Sequence, residues 1–198
     1  MYKTNTLKIK REHCTYTPCY CEENVWKLCE KIKDSDSDLL ENCYVIFVSN
    51  DAKQVPIWFQ RSGHISRDNL CIWDYHVFLI LKDPKETKVY DFDTVLEFPV
   101  TFNNYVKQAI KPEYNEHYER LFRVISADIF LSTFASDRSH MRKPDGSYTS
   151  DPPFYAPISS KDSTNNIQEF ISMNSKIGYG EVMNLKKFCQ YFLPNQLD

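Results

Sequence analysis

The sequence predicts a single α+β domain, in which helices pack on a mainly antiparallel sheet. The chain has 198 residues, of which 42% are hydrophobic and 15% aromatic, and this is enough for one domain with a substantial core. A helical pattern near the N-terminus is followed by a block of β-branched and aromatic segments, and then by mixed elements. This order is typical of α+β folds, so we predict one domain spanning residues 1–198.

The individual elements follow from changes in the hydrophobic period. A helix is predicted from Cys21, because apolar residues recur at helical spacing up to Ile32 and the acidic run 34–38 ends it. The predicted strands are 43–50, 55–60, 71–82, 88–96 and 120–126, the first two being neighbours. Further helices are predicted at 101–110, 127–135, 167–173 and 185–192, with Asn166 and Asn184 capping the last two. The stretch 136–157 is predicted to be a loop, and loops of that length are usually functional or disordered.

Charge and composition limit the possible partners. The net charge is −3 and the pI is about 6.0, so there is no electrostatic reason to expect nucleic acid as a partner. No apolar run approaches the roughly 20 residues that span a bilayer, and the N-terminus lacks the apolar region of a signal peptide. We therefore expect an intracellular monomer that binds neither nucleic acid nor membrane, located in the cytoplasm with the nucleus as a second compartment.

The segment CYCEENVWKLC, residues 19–29, holds three of the seven cysteines. An odd number of cysteines in an intracellular chain argues against a disulfide scaffold. Zinc bound by His13, Cys14, Cys19 and Cys21 is a second interpretation, although the spacing lacks a second C-x₂-C pair. Buried core thiols are a third, which we adopt for Cys29, Cys43, Cys71 and Cys189.

A catalytic nucleophile is the fourth interpretation, and it fits Cys21 best. Cys21 follows a proline-containing coil and opens the first helix, where the partial positive charge of the helix N-terminus favours a thiolate. Glu22 and Glu23 suit the helix dipole as first-turn residues. Their charge would oppose the thiolate unless their side chains point away from the sulfur.

A thiolate needs a base, and His76 is the candidate. It lies in the middle of a predicted strand, where an imidazole is costly unless it has hydrogen-bond partners. A hydrogen-bonded core histidine is the alternative. If the following turn closes a hairpin symmetrically about residues 83 and 84, Asp91 lies directly opposite His76, with Cβ atoms about 5 Å apart. Asp91 is then preferred over Asp93 as the orienting carboxylate, and a shift of one residue in register would remove the pair.

These segments resemble the WDYHV-motif family of protein N-terminal glutamine amidohydrolases. The resemblance rests on CYCEENVWKLC (19–29), WDYHV (73–77) and YDFDTVLEFP (90–99), and extends to FASDRSHM, FISM and GYGEV further along the chain. It implies an α-β-α sandwich with a mainly antiparallel sheet, similar to transglutaminases and papain-like enzymes. It also implies a Cys-His-Asp triad formed by Cys21, His76 and Asp91.

The implied activity is deamidation of an N-terminal Gln to Glu with release of ammonia, through a thioester and within the N-degron pathway. The implied partners are the N-termini of proteins that begin with Gln, and neither a cofactor nor a metal is implied. A cysteine peptidase or a transglutaminase-like enzyme would share the triad. A non-catalytic module that binds zinc or another partner is the alternative from a different class.

Restriction to a free N-terminus requires a group that binds the α-ammonium, because a triad recognises only the carboxamide. A buried cation needs a carboxylate or several carbonyls around it. The candidate substrate-binding residues are Asp74, in the predicted strand that carries His76, and Asp137, in FASDRSHM. Each could instead be a capping or sheet-edge aspartate.

Overall fold

The computed structural model of this protein describes residues 9–112 and 118–193. The helices are α1 (Cys21–Ser35), α2 (Ser37–Leu40), α3 (Phe102–Tyr105), α4 (Ala127–Thr133), α5 (Ile167–Ile171) and α6 (Leu185–Phe192). The strands are β1 (Cys43–Ser49), β2 (Val55–Ile57), β3 (Cys71–Trp73), β4 (Tyr75–Leu81), β5 (Lys88–Tyr90), β6 (Val100–Thr101), β7 (Leu121–Ser126) and β8 (Glu181–Asn184). This mixture of helices and strands confirms the predicted α+β class.

The main sheet of the described residues has six strands in the order β6-β5-β4-β1-β7-β8, and each neighbouring pair is antiparallel. Strands β1 and β4 are central and buried on both faces. Alternate residues of β1 therefore enter different cores: Val45 and Phe47 pack with α1, α4 and α5, whereas Ile46 and Val48 pack with α3 and α6. Helices thus cover both faces of the sheet. The likeness to transglutaminases and papain-like enzymes stays a prediction.

Helix α1 positions the site, and its predicted start and end are confirmed. It begins at Cys21, after Cys19 with a φ of 67°, and it ends at Ser35. Its apolar stripe is buried against β4 and the neighbouring helices. Because α1 lies across the middle of the sheet, its first turn comes next to the start of β4.

The predicted strand 71–82 is interrupted at Asp74. Its first part, β3, pairs with β2 in a separate two-stranded sheet, and its second part is β4. The Asp74 carbonyl accepts a hydrogen bond from Ser49 Oγ at 2.8 Å, and the Asp74 carboxylate accepts one from the Tyr75 N–H at 2.9 Å. These bonds replace ladder bonds, so the strand changes direction here. The prediction that 55–60 is a neighbour of β1 is therefore wrong, because β1 pairs with β4 and β7.

The register predicted for the β4–β5 hairpin is also wrong, by two residues. Leu79 pairs with Tyr90 and Ile80 with Val89, so the same ladder would bring Asp93 opposite His76. The turn is centred later than the sequence suggested, since β4 ends at Leu81 and β5 begins at Lys88. However, β5 ends at Tyr90, and the chain leaves the ladder just where Asp91 begins.

Other elements differ in detail. The predicted helix 101–110 is α3 followed by a π-helical turn, Val106–Ile110, and β8 was not predicted because it is short and partly polar. Asn184 caps α6 by accepting from the Lys187 N–H at 2.9 Å, as predicted. Asn166 does not cap α5, because its side-chain oxygen accepts from the Ala135 N–H at 2.8 Å instead.

Candidate active site

Cys21 lies at the first position of α1, with its side chain 7% exposed. Tyr20, the residue that precedes the helix, makes no side-chain cap, and N–H groups in a first helical turn have no partner within the helix. Burial, followed by the charges of Glu22 and Asp93, raises the pKa of the Cys21 thiol, while the backbone N–H of Val77 on β4 lowers it. In the free protein the pKa of this thiol is therefore raised, not lowered as a helix N-terminus alone would predict, and burial is the largest cause.

His76 lies on β4 and is fully buried. Its Nε2 atom is 2.9 Å from Asp91 Oδ1, and its Nδ1 atom has no hydrogen-bond partner among the described residues. With Nε2 donating to the carboxylate, Nδ1 carries the free lone pair. Burial lowers the pKa of His76, but the charge and hydrogen bond of Asp91 outweigh it and raise the pKa overall. The indole of Trp73 stacks on the imidazole, with ring centroids 4.9 Å apart.

Asp91 is also fully buried and accepts four hydrogen bonds. Its Oδ1 accepts from His76 and from the Asp93 N–H at 2.9 Å, and its Oδ2 accepts from Gln60 Nε2 at 3.0 Å and Tyr105 OH at 2.9 Å. Burial alone would raise the pKa of Asp91, but the charge of His76 and these donors hold it below its usual value. The His76–Asp91 pair therefore forms as predicted, although the register argument for it was wrong.

Gln60 and Tyr105 were not identified from the sequence. Gln60 follows β2 as a fully buried polar residue, and Tyr105 ends α3 on the same face as its apolar neighbours. The signal that was available is weak: a glutamine directly after an apolar run VPIWF, and a tyrosine in a helical segment. Only the three-dimensional arrangement shows that both hold one carboxylate.

Glu22 and Glu23, the two first-turn glutamates, are fully buried. Glu23 forms a bidentate ion pair with Arg138, with both N–O distances 2.8 Å. Glu22 Oε2 lies 3.6 Å from Cys21 Sγ and accepts from Tyr75 OH at 3.2 Å, whereas Oε1 has no hydrogen-bond partner among the described residues. Burial raises the pKa of Glu22 to about 7.

A cleft of about 380 Å³ opens at Cys21. Asp74 lines it and is exposed, so this candidate for substrate binding shares the cleft with Cys21. Asp137 is exposed and is not among the lining residues; its carboxylate accepts from the Ser139 N–H at 2.9 Å. Hydrogen bonds from the Ser139 side chain and then from the Ser139 N–H lower the pKa of Asp137, which matches the capping alternative. The long loop contributes His140 to the cleft wall.

The arrangement of potential metal ligands differs from the zinc interpretation. Within the described ranges, His76, Asp91 and Asp93 bring donor atoms within 4.8 Å of one another, whereas the predicted zinc set of His13, Cys14, Cys19 and Cys21 is not such a group. The atoms of the first cluster are engaged with protein partners: Asp91 as described above, and Asp93 Oδ1 by Tyr16 OH at 2.6 Å. The cluster is accounted for by these hydrogen bonds.

The structure has a cysteine at a helix N-terminus that lines a cleft, and a buried His–Asp pair. Enzymes that cleave acyl groups through a thiol nucleophile combine these groups. The model of the N-terminal glutamine amidase family matches residues 16–192. The chain belongs to this family. It is therefore a hydrolase of carbon–nitrogen bonds in amides.

Curated relatives are similar over nearly the whole chain. The human and the Bos taurus proteins named protein N-terminal glutamine amidohydrolase are each 46% identical over 185 residues, 92% of this chain and 89% or 88% of the relative. The Drosophila melanogaster protein of the same name is 45% identical over 197 residues, covering 96% of this chain and 93% of the relative. Among the described residues, none of the helices is long and apolar enough to cross a membrane.

Proposed function

We propose that this protein converts the N-terminal glutamine of peptides and proteins to glutamate and releases ammonia, using Cys21, His76 and Asp91 as a catalytic triad. The observation that carries the mechanism is the free Nδ1 atom of His76, which belongs to a buried ring already held at Nε2 by Asp91. The names of relatives that are about 46% identical support the substrate.

In the first half of the reaction, His76 Nδ1 takes the proton of the Cys21 thiol, and the thiolate attacks the carboxamide carbon of the glutamine side chain. The backbone N–H of Cys21, in the first turn of α1, donates to the oxyanion. The imidazolium then gives its proton to the leaving nitrogen, ammonia departs, and a thioester to Cys21 Sγ remains. Asp91 stabilises the imidazolium and fixes the tautomer.

In the second half, His76 takes a proton from water, and the resulting hydroxide attacks the thioester carbonyl. The tetrahedral intermediate collapses with Cys21 as leaving group, which yields the glutamate side chain and the free thiol. The stacked indole of Trp73 covers one face of the imidazole and limits access of bulk water to the His76–Asp91 hydrogen bond.

Selectivity for a free N-terminus requires contacts beyond the triad. We propose Asp74, at the cleft, as a carboxylate near the substrate N-terminus, and Asp137 stays a prediction for the same role. With both ends of the residue held, asparagine is one methylene short. Its kcat/KM should fall by about 10–200-fold from lost packing, and by about a further 10²-fold because its carbonyl is displaced from the sulfur. Asn-peptides, acetylated Gln-peptides and internal glutamines should therefore be at least about 10³-fold slower.

The test is to incubate the protein with a Gln-initiated peptide, and to measure ammonia together with the mass change of deamidation. We expect both for the wild type and neither for Cys21→Ser. Absence of ammonia with a range of Gln-initiated peptides would refute the proposal. Peptide cleavage would indicate a cysteine peptidase, and incorporation of an added primary amine would indicate transglutaminase chemistry.

The cellular setting is also a proposal. A glutamate made at an N-terminus by this reaction would act in the N-degron pathway, in the cytoplasm and the nucleus, with the enzyme as a monomer. Fractionation of cells followed by the deamidation assay, and sizing of the purified protein, would test these points.

A further inference from the structure

A buried carboxylate with an unused oxygen lies next to the proposed nucleophile. Glu22 is 0% exposed, and its Oε2 is shared between Tyr75 OH at 3.2 Å and Cys21 Sγ at 3.6 Å. Its Oε1 has no hydrogen-bond partner in the described part of the chain. Leaving a buried acceptor of this kind unpaired is costly, and more so when it is charged. A cationic ligand would remove this cost.

Glu22 does not itself line the cleft, but its neighbours Cys21, Tyr75 and His140 do. His140, which lines the cleft, has its Nε2 atom 3.6 Å from Glu22 Oε1, too far for a hydrogen bond. Both ring nitrogens of His140 are buried and lack partners among residues 9–112 and 118–193. Burial lowers the pKa of His140, so the ring is neutral at pH 7 and cannot serve as the cation.

The charge of Glu22 also hinders the chemistry in the free protein. A carboxylate 3.6 Å from the sulfur disfavours the thiolate, and it contributes to the raised pKa of Cys21. Neutralising Glu22 would therefore favour formation of the nucleophile. A substrate that carries its own positive charge to this point would both fill the unpaired acceptor and activate the thiol.

We infer that Glu22 binds the α-ammonium of the substrate's N-terminal residue through Oε1, with a nitrogen of His140 as a second acceptor. This inference rests on the proposed deamidation of N-terminal glutamine and names its specificity-determining residue. Oε1 is enclosed in the free protein, so binding of the ammonium requires the His140 side chain, which lies between Glu22 and the cleft, to move aside.

The dimensions of glutamine fit this placement. Its α-nitrogen and carboxamide carbon are separated by three carbon atoms, so they span about 5 Å when the side chain is extended. Glu22 Oε2 and Cys21 Sγ are 3.6 Å apart, so one residue can contact the carboxylate at one end and the sulfur at the other. Asparagine is one methylene shorter, so its carboxamide carbon is misplaced relative to the sulfur when its ammonium is bound at the same point. An acetylated N-terminus has no charge to offer.

The two carboxylates that line the cleft, Asp74 and Asp93, are less suited to this role. Asp93 Oδ1 already accepts from Tyr16 OH at 2.6 Å. Asp74 is exposed and its Oδ1 accepts from the Tyr75 N–H, so an ion pair there is screened by water. Glu22 combines full burial with a free oxygen, and such a carboxylate discriminates most strongly between a charged and an uncharged ligand.

The test compares a Gln-initiated peptide with the same peptide lacking only the α-amino group. For the wild type we expect kcat/KM to be about 10²-fold to 10³-fold higher with the amine. In Glu22→Gln, which keeps the shape and the acceptor for Tyr75, this ratio should fall below about tenfold, mainly through slower turnover of the amine-bearing peptide. Glu30→Gln, the same substitution further along α1 at a residue paired with Lys27, is the matched control and should keep the whole ratio. Asp74→Asn, at the other proposed carboxylate, should lower the ratio less than Glu22→Gln does.

A second readout does not depend on turnover. Alkylation of Cys21 by iodoacetamide in the free protein at neutral pH should be faster in Glu22→Gln than in the wild type, because the opposing charge is gone. Glu22→Asp keeps the charge but places it further from the sulfur, so its ratio of kcat/KM with and without the α-amino group should be intermediate. It also provides a second variant should Glu22→Gln fold poorly.

The outcomes separate this inference from the proposed function. If the wild type deamidates both peptides equally, or if Glu22→Gln keeps the full ratio while Asp74→Asn loses it, the role of Glu22 is refuted and deamidation stands. If the wild type deamidates no Gln-initiated peptide, the proposed function itself fails.

Discussion

Replacing Glu22 by Gln should stabilise the folded protein above pH 7, although it removes a buried carboxylate. Burial raises the Glu22 pKa from 4.5 to about 7. The folded state therefore holds this proton more tightly than the unfolded chain does. The stability that the proton contributes is complete below the unfolded pKa and is lost as pH rises through about 7. Glutamine does not titrate, so the variant does not lose stability as the pH rises through about 7.

The size of the stability difference follows from the pKa shift of Glu22. At 1.36 kcal/mol per unit, a change from 4.5 to about 7 corresponds to about 3 kcal/mol of relative stabilisation of the variant well above pH 7, and to about zero below pH 4.5. The groups that face Glu22, namely Cys21, Tyr75, His140 and Glu23, are the same in both proteins. The difference between their unfolding free energies, measured by urea titration from pH 5 to 8, therefore isolates Glu22.

Glu23→Gln is the matched control, because the neighbouring residue is equally buried and receives the same substitution. Glu23 is paired with Arg138, whose side chain is 4% exposed, so this change leaves a buried guanidinium without its counter-ion. We expect Glu23→Gln to be destabilised by about 3–5 kcal/mol at pH 8. If Glu22→Gln were destabilised to a similar extent at pH 8, Glu22 would have a cationic partner in the free protein and the reasoning above would be wrong.

Three further predictions concern the proposed triad. Cys21→Ser should abolish ammonia release from a Gln-peptide, whereas Cys19→Ser, altered at an exposed thiol, should keep most of it. The reverse result would identify Cys19 as the nucleophile. Asp91→Asn should keep the fold by circular dichroism but lower kcat by about 10⁴-fold, and an equal loss in Asp93→Asn with a mild effect at Asp91 would reassign the orienting residue. Tyr105→Phe removes one of four donors to Asp91 and should cost about 1–2 kcal/mol in urea unfolding, with no loss expected if Asp91 were not ionised in the folded state.

Local sequence patterns were sufficient to predict those helices and strands whose hydrophobic pattern lies within one segment. Helix α1 was predicted from its apolar stripe, and the buried strand β1 from its β-branched and aromatic composition. The separation of β2 from β1 could not be predicted, because it depends on hydrogen bonds at Asp74 that redirect the chain. Strand pairing is a long-range property, and short apolar segments do not specify their partner.

In the candidate site, too, some features could be predicted from the local sequence and others depend on long-range packing. His76 was identified because an imidazole within an apolar strand is costly unless it has partners, and this argument does not depend on register. The partner was correct even though the register was not, because Asp91 lies at the end of β5 and can reach back across the ladder. Glu22 was interpreted only as a first-turn residue that suits the helix dipole, because its burial against Tyr75 and His140 depends on packing that the sequence does not show.

The ion pair between Arg138 and Glu23 has a consequence for how this enzyme could diversify. It fastens the start of the long loop to the helix that carries Cys21, and Arg138 also donates to the Tyr155 carbonyl at 3.0 Å near the loop's other end. The stretch between these anchors includes an exposed turn in which the Lys143 N–H donates to the Ser147 carbonyl at 2.8 Å. Insertions and substitutions at this turn can therefore accumulate, or be engineered, while the catalytic geometry stays unchanged. Such changes can provide contacts to the second and third residues of different protein N-termini.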